Sequence, residues 1–395
     1  MKRALQFGAG NIGRGFLGQL YYESGYATTF VDVLDNVVQA LNERGGYPLR
    51  IVDEEPQTLD IRNVSALHAA DTDAVAQAIA EADIAATAVG VNVLPKVAPT
   101  IAQGIEKRYA EASAPPLNFI VCENLIDAGP FLREKVREHL APAFHGVLDE
   151  EVGFVEASIG RMVPIMTEKE RAEDPLLICV EAYCDLPVDK DAFKGPIPEL
   201  KNLQPKADFG AYVERKLFVH NLSHATAAYL GYLRGHEYIW QTMEDEKTLA
   251  SMKAATNESC EGLARKWDMD RGELDAHAKD LAKRYRNKAL GDQVRRIAAD
   301  PVRKLGPNDR LIGAGRMCIE QGIAPEHIAF AAAAAMRYDH PADGAAERLQ
   351  IMRKYGGIEA VLREICDLDP ASELARLIVE GDRRLRQEGW VEQDK

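Results

Sequence analysis

The sequence predicts an α/β fold: a Rossmann-type, doubly wound N-terminal sheet followed by an all-α C-terminal domain. Through the first half of the chain, short apolar runs alternate with amphipathic stretches, which is typical of βαβ units and a parallel sheet. From Phe209 onward the apolar residues recur with helical spacing almost throughout. We therefore expect a dinucleotide-binding domain over 1–190 and an all-helical substrate and catalytic domain over 191–395, with a cleft between them.

The individual elements follow from these patterns. Strands are predicted at 4–7, 29–33, 84–89 and 119–122, and further strands at 153–159 and 176–183 extend the sheet to about 185. Helices are predicted at 13–24, 74–82 and 94–109. The segment 186–199 is rich in proline and charge, which is typical of a linker. An alanine-rich stretch at 329–335 belongs to the helical half.

Length and composition exclude several classes of protein. The 395 residues suggest two or three domains, and 46% apolar with 28% charged residues is ordinary globular composition. A formal charge of −14 disfavours nucleic-acid binding, because phosphates would repel the chain. No apolar stretch approaches the roughly 18 residues of a membrane span, and the N-terminus does not resemble a signal peptide. Six scattered cysteines without a CxxC pair form neither a disulfide framework nor a zinc site. We expect a cytoplasmic protein without a metal.

A glycine-rich loop follows the first predicted strand. Its spacing is GxGxxG: Gly8 permits a tight turn, Gly10 lets the backbone approach a pyrophosphate, and Gly13 lets the helix pack closely on the strand. Asp32 ends the second strand, 19 residues after Gly13, where a carboxylate suits the ribose hydroxyls of NAD and repels the 2′-phosphate of NADP. The candidate cofactor-binding residues are Phe7, Gly8, Gly10, Asn11, Ile12, Gly13, Asp32, Val89 and Gly90.

Three polar residues share one face of a predicted helix in the second half. With about 100° per residue, Asn221 lies about 140° from Lys216 and His224 lies between them. A lysine with a lowered pKa can accept a hydroxyl proton, an asparagine amide can donate to the oxygen, and a histidine can orient a hydroxyl. His220 lies on the same face and rivals His224. A solvated helix with a capping or core histidine explains the spacing equally well.

A basic cluster interrupts this acidic chain. Residues 281–310 contain nine basic and three acidic residues, a local reversal of charge that an anionic substrate group would need. A charged helix face that pairs with acidic residues elsewhere is the alternative, and the charge pattern alone favours it.

Taken together, these motifs resemble the polyol-specific long-chain dehydrogenases of the mannitol dehydrogenase family. The resemblance lies in FGAGNIGRGF at 7–16, CENL at 122–125, KLF at 216–218, Asn221, the pair His224–Ala225, DPVRKL at 300–305 and PNDRL at 307–311. It implies that Lys216 is the general base, that Asn221 and Asn124 hold the developing oxyanion, and that His224 binds a substrate hydroxyl.

The resemblance also implies a substrate class. Arg296 and Lys304 keep the eight-residue spacing of a substrate-contacting pair, and Arg303 adds a cation that suits a phosphorylated polyol. His220 is not part of the family pattern. The implied activity is the metal-independent, reversible oxidation of D-mannitol 1-phosphate to D-fructose 6-phosphate by NAD⁺. The alternatives are another polyol or hexuronate dehydrogenase of this family, or a non-catalytic NAD-binding sensor protein.

Overall fold

The computed structural model describes residues 1–53, 55–110, 114–164, 166 and 172–391. The chain divides into two compact units, Met1–Tyr212 and Val213–Lys395. Within the described residues no helix combines the length and the apolar character that crossing a membrane requires. The same residues include no group of three or more His, Cys, Asp or Glu side chains arranged to hold a metal ion.

The first unit is built on strands. They are β1 (Lys2–Phe7), β2 (Tyr26–Asp32), β3 (Gly46–Ile51), β4 (Gln57–Arg62), β5 (Val64–His68), β6 (Ile84–Thr87), β7 (Leu117–Val121), β8 (Val152–Glu156), β9 (Ile178–Val180), β10 (Leu186–Asp189) and β11 (Leu203–Lys206). Six of them form a parallel sheet in the order β5-β2-β1-β6-β7-β8. The order reverses between β1 and β6, and such a switch point is where doubly wound sheets bind ligands.

Helices cover both faces of this sheet. They are α1 (Gly18–Glu23), α2 (Asp35–Arg44), α3 (Thr72–Glu81), α4 (Leu94–Tyr109), α5 (Ala128–Arg137) and α6 (His145–Glu151), with a π-helical turn at Gly13–Leu17 and 3₁₀ turns at Val91–Val93 and Pro142–Phe144. Side chains alternate along a strand, so Phe119 packs with Ile79 and Ile101 on one face, whereas Ile120 packs with Leu20 on the other. Two apolar cores therefore hold the sheet from both sides.

The second unit is helical through its described residues. Its elements are α7 (Phe209–Arg215, which contains the boundary between the units), a π-helical turn at Lys216–Asn221, α8 (Leu222–Leu233), α9 (Ile239–Glu244), α10 (Glu246–Trp267), α11 (Arg271–Arg284), a 3₁₀ turn at Lys288–Leu290, α12 (Val294–Ala298), α13 (Pro301–Lys304), α14 (Ile312–Glu320), α15 (Glu326–Ala335), α16 (Gly344–Glu364, kinked at Gly357) and α17 (Glu373–Gln387). The alanine-rich stretch falls in α15. Its alanines are fully buried, because small side chains let neighbouring helices approach closely.

Three expectations need correction or extension. The stretch predicted at 176–183 contains β9, which pairs with β3 in a separate three-stranded sheet, β4-β3-β9, and so does not extend the main sheet. The predicted linker contains β10, whose alternate residues Leu186 and Val188 are buried and which pairs with β11. Because β11 is tied to β10, the first unit extends beyond the predicted boundary at 190. The segment 191–395 therefore contains one strand, β11, ahead of its helices.

Candidate active site

The glycine-rich loop leaves β1 at the switch point of the sheet. Gly8 has φ of +91°, which L side chains rarely adopt, and its N–H donates to the carbonyl of Val31 at 2.8 Å. A Cβ at Gly13 would lie 1.9 Å from the carbonyl oxygen of Gly8, so only glycine lets the helix begin there. A Cβ at Gly10 would meet nothing within 4 Å, which leaves open space over the loop where a pyrophosphate can approach.

Asp32 ends β2 beside this loop. Its Oδ2 accepts a hydrogen bond from the N–H of Ala9 at 2.7 Å, and its Oδ1 accepts one from the N–H of Leu34 at 3.0 Å. The carboxylate thus ties the glycine-rich loop to the second strand while its side chain stays half-buried. Its predicted contact with an adenosine ribose remains a prediction.

The carboxyl ends of β6 and β7 complete the same edge of the sheet. Val89 and Gly90 follow β6, and Asn124 follows β7 as an exposed residue. Glu123 is buried: its carboxylate accepts a hydrogen bond from the hydroxyl of Thr87 at 2.7 Å and one from the N–H of Val89 at 2.9 Å. Glu123 therefore holds the carboxyl end of β6 in place, next to Val89 and Gly90, which the sequence predicts to bind the cofactor.

Helix α7, a π-helical turn and α8 form one continuous helical segment, which belongs to the second unit from Val213 onward. At the end of the turn the N–H of Leu222 donates to the carbonyl of Leu217, five residues back. A π-helix closes its hydrogen bonds over five residues instead of four, so each residue rotates by less than the roughly 100° of an α-helix. By this geometry the angle between Lys216 and Asn221 is smaller than the 140° expected for an α-helix.

Side chains from outside this turn stabilise it. The hydroxyl of Ser259, on α10, donates to the carbonyl of Phe218 at 2.6 Å. The hydroxyl of Tyr285, just after α11, donates to the carbonyl of His220 at 3.0 Å, and the hydroxyl of Ser223 donates to the same carbonyl at 3.0 Å. These donors satisfy buried carbonyls at the point where the helical hydrogen-bond pattern changes.

Lys216 begins the π-helical turn and is half-buried. Burial first, and then the cations of Arg310 and Arg303, lower its pKa to about 8 against the opposing carboxylate of Asp309. A substantial fraction of the side chain is therefore neutral amine near pH 8, which is the form that accepts a proton.

His224 forms the centre of a buried polar group. Its Nε2 lies 2.7 Å from Oδ2 of Asp292, and Arg296 donates to Oδ1 of the same carboxylate. The imidazole stacks on the ring of Tyr285 with centroids 4.7 Å apart and 11° between the planes. His220 lies close by, its ring centroid 6.1 Å from that of His224. Burial, with smaller contributions from nearby cations and histidines, lowers the pKa of His220 well below its usual value.

The basic cluster separates into members with different partners. The ammonium of Lys304 is buried and donates to the carbonyl of Ile297 at 2.6 Å and to the carbonyl of Ala299. Burial, together with Arg310 and Arg303, lowers the pKa of Lys304 to about 7. The guanidinium of Arg303 is half-exposed and contacts the carboxylates of Asp300 at 2.9 Å and Asp309 at 3.3 Å.

The predicted site residues therefore divide between the units. The cofactor-binding residues and Asn124 lie at one edge of the sheet of the first unit. Lys216, Asn221 and His224 lie on one helical segment of the second unit. The substrate-contacting candidates Arg296, Arg303 and Lys304 are in the second unit, where Arg296 is joined to His224 through Asp292 and Arg303 acts on Lys216.

Sequence reasoning did not assign site roles to Glu123, Asp292, Tyr285 and Arg310. Glu123 carried a usable signal, since a charged residue directly after an apolar strand is seldom placed there for packing. Asp292 stood out only as one of three acids in the basic window. Nothing in the spacing indicated the ring contact of Tyr285.

Family models match nearly the whole chain. The model described as the mannitol dehydrogenase Rossmann domain matches residues 2–202, and the model described as the mannitol dehydrogenase C-terminal domain matches residues 208–374. The chain belongs to the mannitol dehydrogenase family. This membership confirms the predicted resemblance and the predicted class of enzyme, a dehydrogenase.

Relatives of this mannitol dehydrogenase family member are similar over almost their full length. A mannitol-1-phosphate 5-dehydrogenase of Enterococcus faecalis is 36% identical, covering 93% of this chain and 94% of that protein. One of Brevibacillus brevis is 37% identical, covering 97% and 98%. A solved structure of Pseudomonas fluorescens mannitol 2-dehydrogenase with NAD and D-mannitol has a TM-score of 0.75 at 19% identity, covering 98% of this chain and 92% of that chain. That structure confirms the predicted fold class.

Proposed function

We propose that this chain is a cytoplasmic enzyme that catalyses the reversible oxidation of D-mannitol 1-phosphate to D-fructose 6-phosphate with NAD⁺. Relatives named for mannitol 1-phosphate, 36% to 39% identical over 92% to 97% of the chain, support this substrate. The observation that carries the chemistry is Lys216, a half-buried lysine whose pKa is lowered to about 8 beside an asparagine on the same turn.

The first unit has the features that a dinucleotide requires. The loop offers open space at Gly10, a side chain is excluded at Gly13, and the loop lies where the strand order reverses. In this proposal, the residues from Phe7 to Gly13, together with Asp32, Val89 and Gly90, hold NAD. When bound, NAD⁺ supplies the hydride acceptor.

The second unit supplies the proton chemistry. The neutral amine of Lys216 accepts the proton of the hydroxyl on carbon 5 of the polyol. The amide of Asn221 donates to the same oxygen as negative charge develops on it. His224 accepts or donates at another hydroxyl and thereby orients the chain of the polyol. The role of Asn124 as a second donor to the oxygen is carried over from the family resemblance.

The phosphate end of the substrate needs cations. Arg303 exposes half of its side chain, so a phosphate can reach it, and Arg296 is 40% exposed. Lys304 is buried and bonded to two carbonyls, and we assign it to the same end of the substrate, where an anionic phosphate would favour its charged form. A phosphate with close to two negative charges gains more from this cluster than a neutral hydroxymethyl group does.

A substrate panel tests this function. Purified protein with NADH is given fructose 6-phosphate, free fructose and a hexuronate, and absorbance at 340 nm reports the loss of NADH. We expect turnover with fructose 6-phosphate and at least about tenfold lower kcat/KM with the other two, because one charge-assisted contact contributes about 1.5 to 3 kcal/mol. Equal efficiency with free fructose contradicts the phosphate assignment. NADH binding without turnover of any sugar supports the sensor alternative.

A further inference from the structure

A buried carboxylate joins two side chains of the second unit that the proposed function places against the substrate. Asp292 is 8% exposed and His224 is 9% exposed. One oxygen of Asp292 contacts Nε2 of His224 at 2.7 Å, and the other accepts from Arg296. We propose that Asp292 is a positioning residue that fixes the tautomer and ring orientation of His224, so that Nδ1 faces a substrate hydroxyl as an acceptor. This inference rests on the proposed function for the role of His224.

The tautomer follows from the donors and acceptors present. Burial alone would raise the pKa of Asp292, but the contacts with His224 and Arg296 outweigh burial and hold the pKa below its usual value. An ionised carboxylate can only accept hydrogen bonds, so Nε2 of His224 carries the hydrogen that lies between the two groups. In a neutral imidazole the other nitrogen, Nδ1, then has a free lone pair. A polyol hydroxyl can donate to it.

The orientation of the ring is fixed in two directions. In the plane of the ring, Asp292 holds Nε2, and Arg296 keeps the carboxylate from rotating. Across the face of the ring, Tyr285 stacks on His224, and its own hydroxyl is bonded to the carbonyl of His220. Through Tyr285, the position of the His224 ring is therefore fixed relative to the π-helical turn that carries Lys216.

The backbone that carries Asp292 is itself held. The N–H of Ile239 donates to the carbonyl of Asp292 at 2.9 Å, and the N–H of Val294 donates to the carbonyl of Glu237 at 2.9 Å. These two bonds join the segment before α9 to the segment before α12 as an isolated β-bridge between Tyr238 and Gln293. A site on a fixed backbone positions a ligand more accurately than one on an unpaired loop.

Asp292→Asn gives a sharp test of the tautomer. Arg296 has only donors, so the amide oxygen of the new side chain turns toward Arg296 and its NH₂ group turns toward His224. Nε2 must then accept, and the hydrogen moves to Nδ1. Nitrogen-15 NMR of histidine-labelled protein reports which ring nitrogen carries the hydrogen, and the His224 signal is identified by its loss in His224→Ala. We expect the Nε2–H form in the parent protein and the Nδ1–H form in Asp292→Asn.

Kinetics then separate positioning from a purely structural ion pair. We expect Asp292→Asn to lower kcat/KM for mannitol 1-phosphate by about tenfold to a hundredfold. In a protein that already carries His224→Ala, the same substitution should lower kcat/KM by a factor several-fold smaller. Asp339→Asn is the matched control, because Asp339 accepts from the hydroxyl of Tyr232 at 2.8 Å near the other end of α8. It should change neither the tautomer of His224 nor the activity. Asp292→Ser is the second variant, used if the asparagine variant does not fold.

Each readout decides a different question. A His224 signal that keeps the Nε2–H form in Asp292→Asn overturns the inference, whatever the activity. If that variant does not fold, Asp292→Ser is judged by its kinetics alone, because a serine hydroxyl can also accept from Nε2–H. Full kcat/KM in the variant that folds, or equal losses with and without His224, also overturns the inference. If the parent protein turns over no polyol phosphate, the proposed function fails, whereas the NMR experiment still reports whether Asp292 sets the tautomer of His224.

Discussion

Two lysines of the second unit lie where a positive charge is disfavoured. Burial and the neighbouring Arg310 and Arg303 lower the pKa of Lys216 to about 8 and the pKa of Lys304 to about 7. Their settings differ, because the nitrogen of Lys304 is engaged as a donor to the carbonyls of Ile297 and Ala299. Lys304 is buried, whereas Lys216 is half-buried and shares its π-helical turn with Asn221, so we propose Lys216 as the base.

Asp32 is expected to set the choice of cofactor. Asp32→Ser removes a negative charge beside the glycine-rich loop, so kcat/KM with NAD⁺ should fall and the rejection of NADP⁺ should relax. Asp35→Ser is the matched control, since it removes the same charge from an exposed residue three positions later. Steady-state kinetics with both cofactors check this. If Asp32→Ser keeps the preference for NAD⁺ over NADP⁺ and the same kcat/KM with NAD⁺, Asp32 does not contact the ribose.

Arg303 is expected to act on substrate charge and on Lys216 together. Arg303→Gln should lower kcat/KM for fructose 6-phosphate by roughly tenfold to a hundredfold and affect free fructose much less. Because the cation also lowers the pKa of Lys216, its removal should raise that pKa and move the pH profile of mannitol 1-phosphate oxidation to higher pH. Equal losses for both sugars, with the profile unmoved, would place the phosphate elsewhere.

At the scale of elements, the π-helical turn shows where sequence reasoning reached its limit. The presence of a helix around Lys216, Asn221 and His224 was predictable from apolar spacing. Its widened turn was not, because the turn depends on Ser259 and Tyr285, which lie 41 and 65 residues from the carbonyls they bond. The spacing of apolar residues predicts a helix, but it does not show the side chains of distant residues that widen one of its turns.

Ser259→Ala is expected to weaken this turn. The variant leaves the buried carbonyl of Phe218 without its hydroxyl donor, which costs about 1 to 3 kcal/mol, and it should lower kcat by loosening Lys216. Ser251→Ala, on the same helix, is the control, because the hydroxyl of Ser251 bonds to the carbonyl of Lys247 within its own helix at 3.0 Å. Urea denaturation and kcat measure the two effects. If Ser259→Ala and Ser251→Ala behave alike, the bond from Ser259 does not stabilise the turn.

Across the whole molecule, local patterns predicted more than long-range pairings. Helix α4 begins and ends as predicted at Leu94 and Tyr109, and the strand at residues 4–7 leads into the glycine-rich loop as expected. Strands β3, β4 and β5 were missed, and β9 was placed in the wrong sheet, since pairing joins residues that no local period relates, such as Leu49 and Ile178. At the site the same limit applies: the residue types on one helix were predictable, and the carboxylate of Asp292 that joins two of them was not.

The pH dependence of mannitol 1-phosphate oxidation tests the central claim most directly. Lys216 must be neutral to accept a proton, so kcat with saturating NAD⁺ should fall about tenfold per pH unit below a pKa near 8 and level off above it. Lys216→Ala should lower kcat by roughly a hundredfold or more and lose this dependence, while NADH binding survives. A Lys216→Ala variant with near-normal kcat and the same pH profile would contradict the assignment of Lys216 as the base.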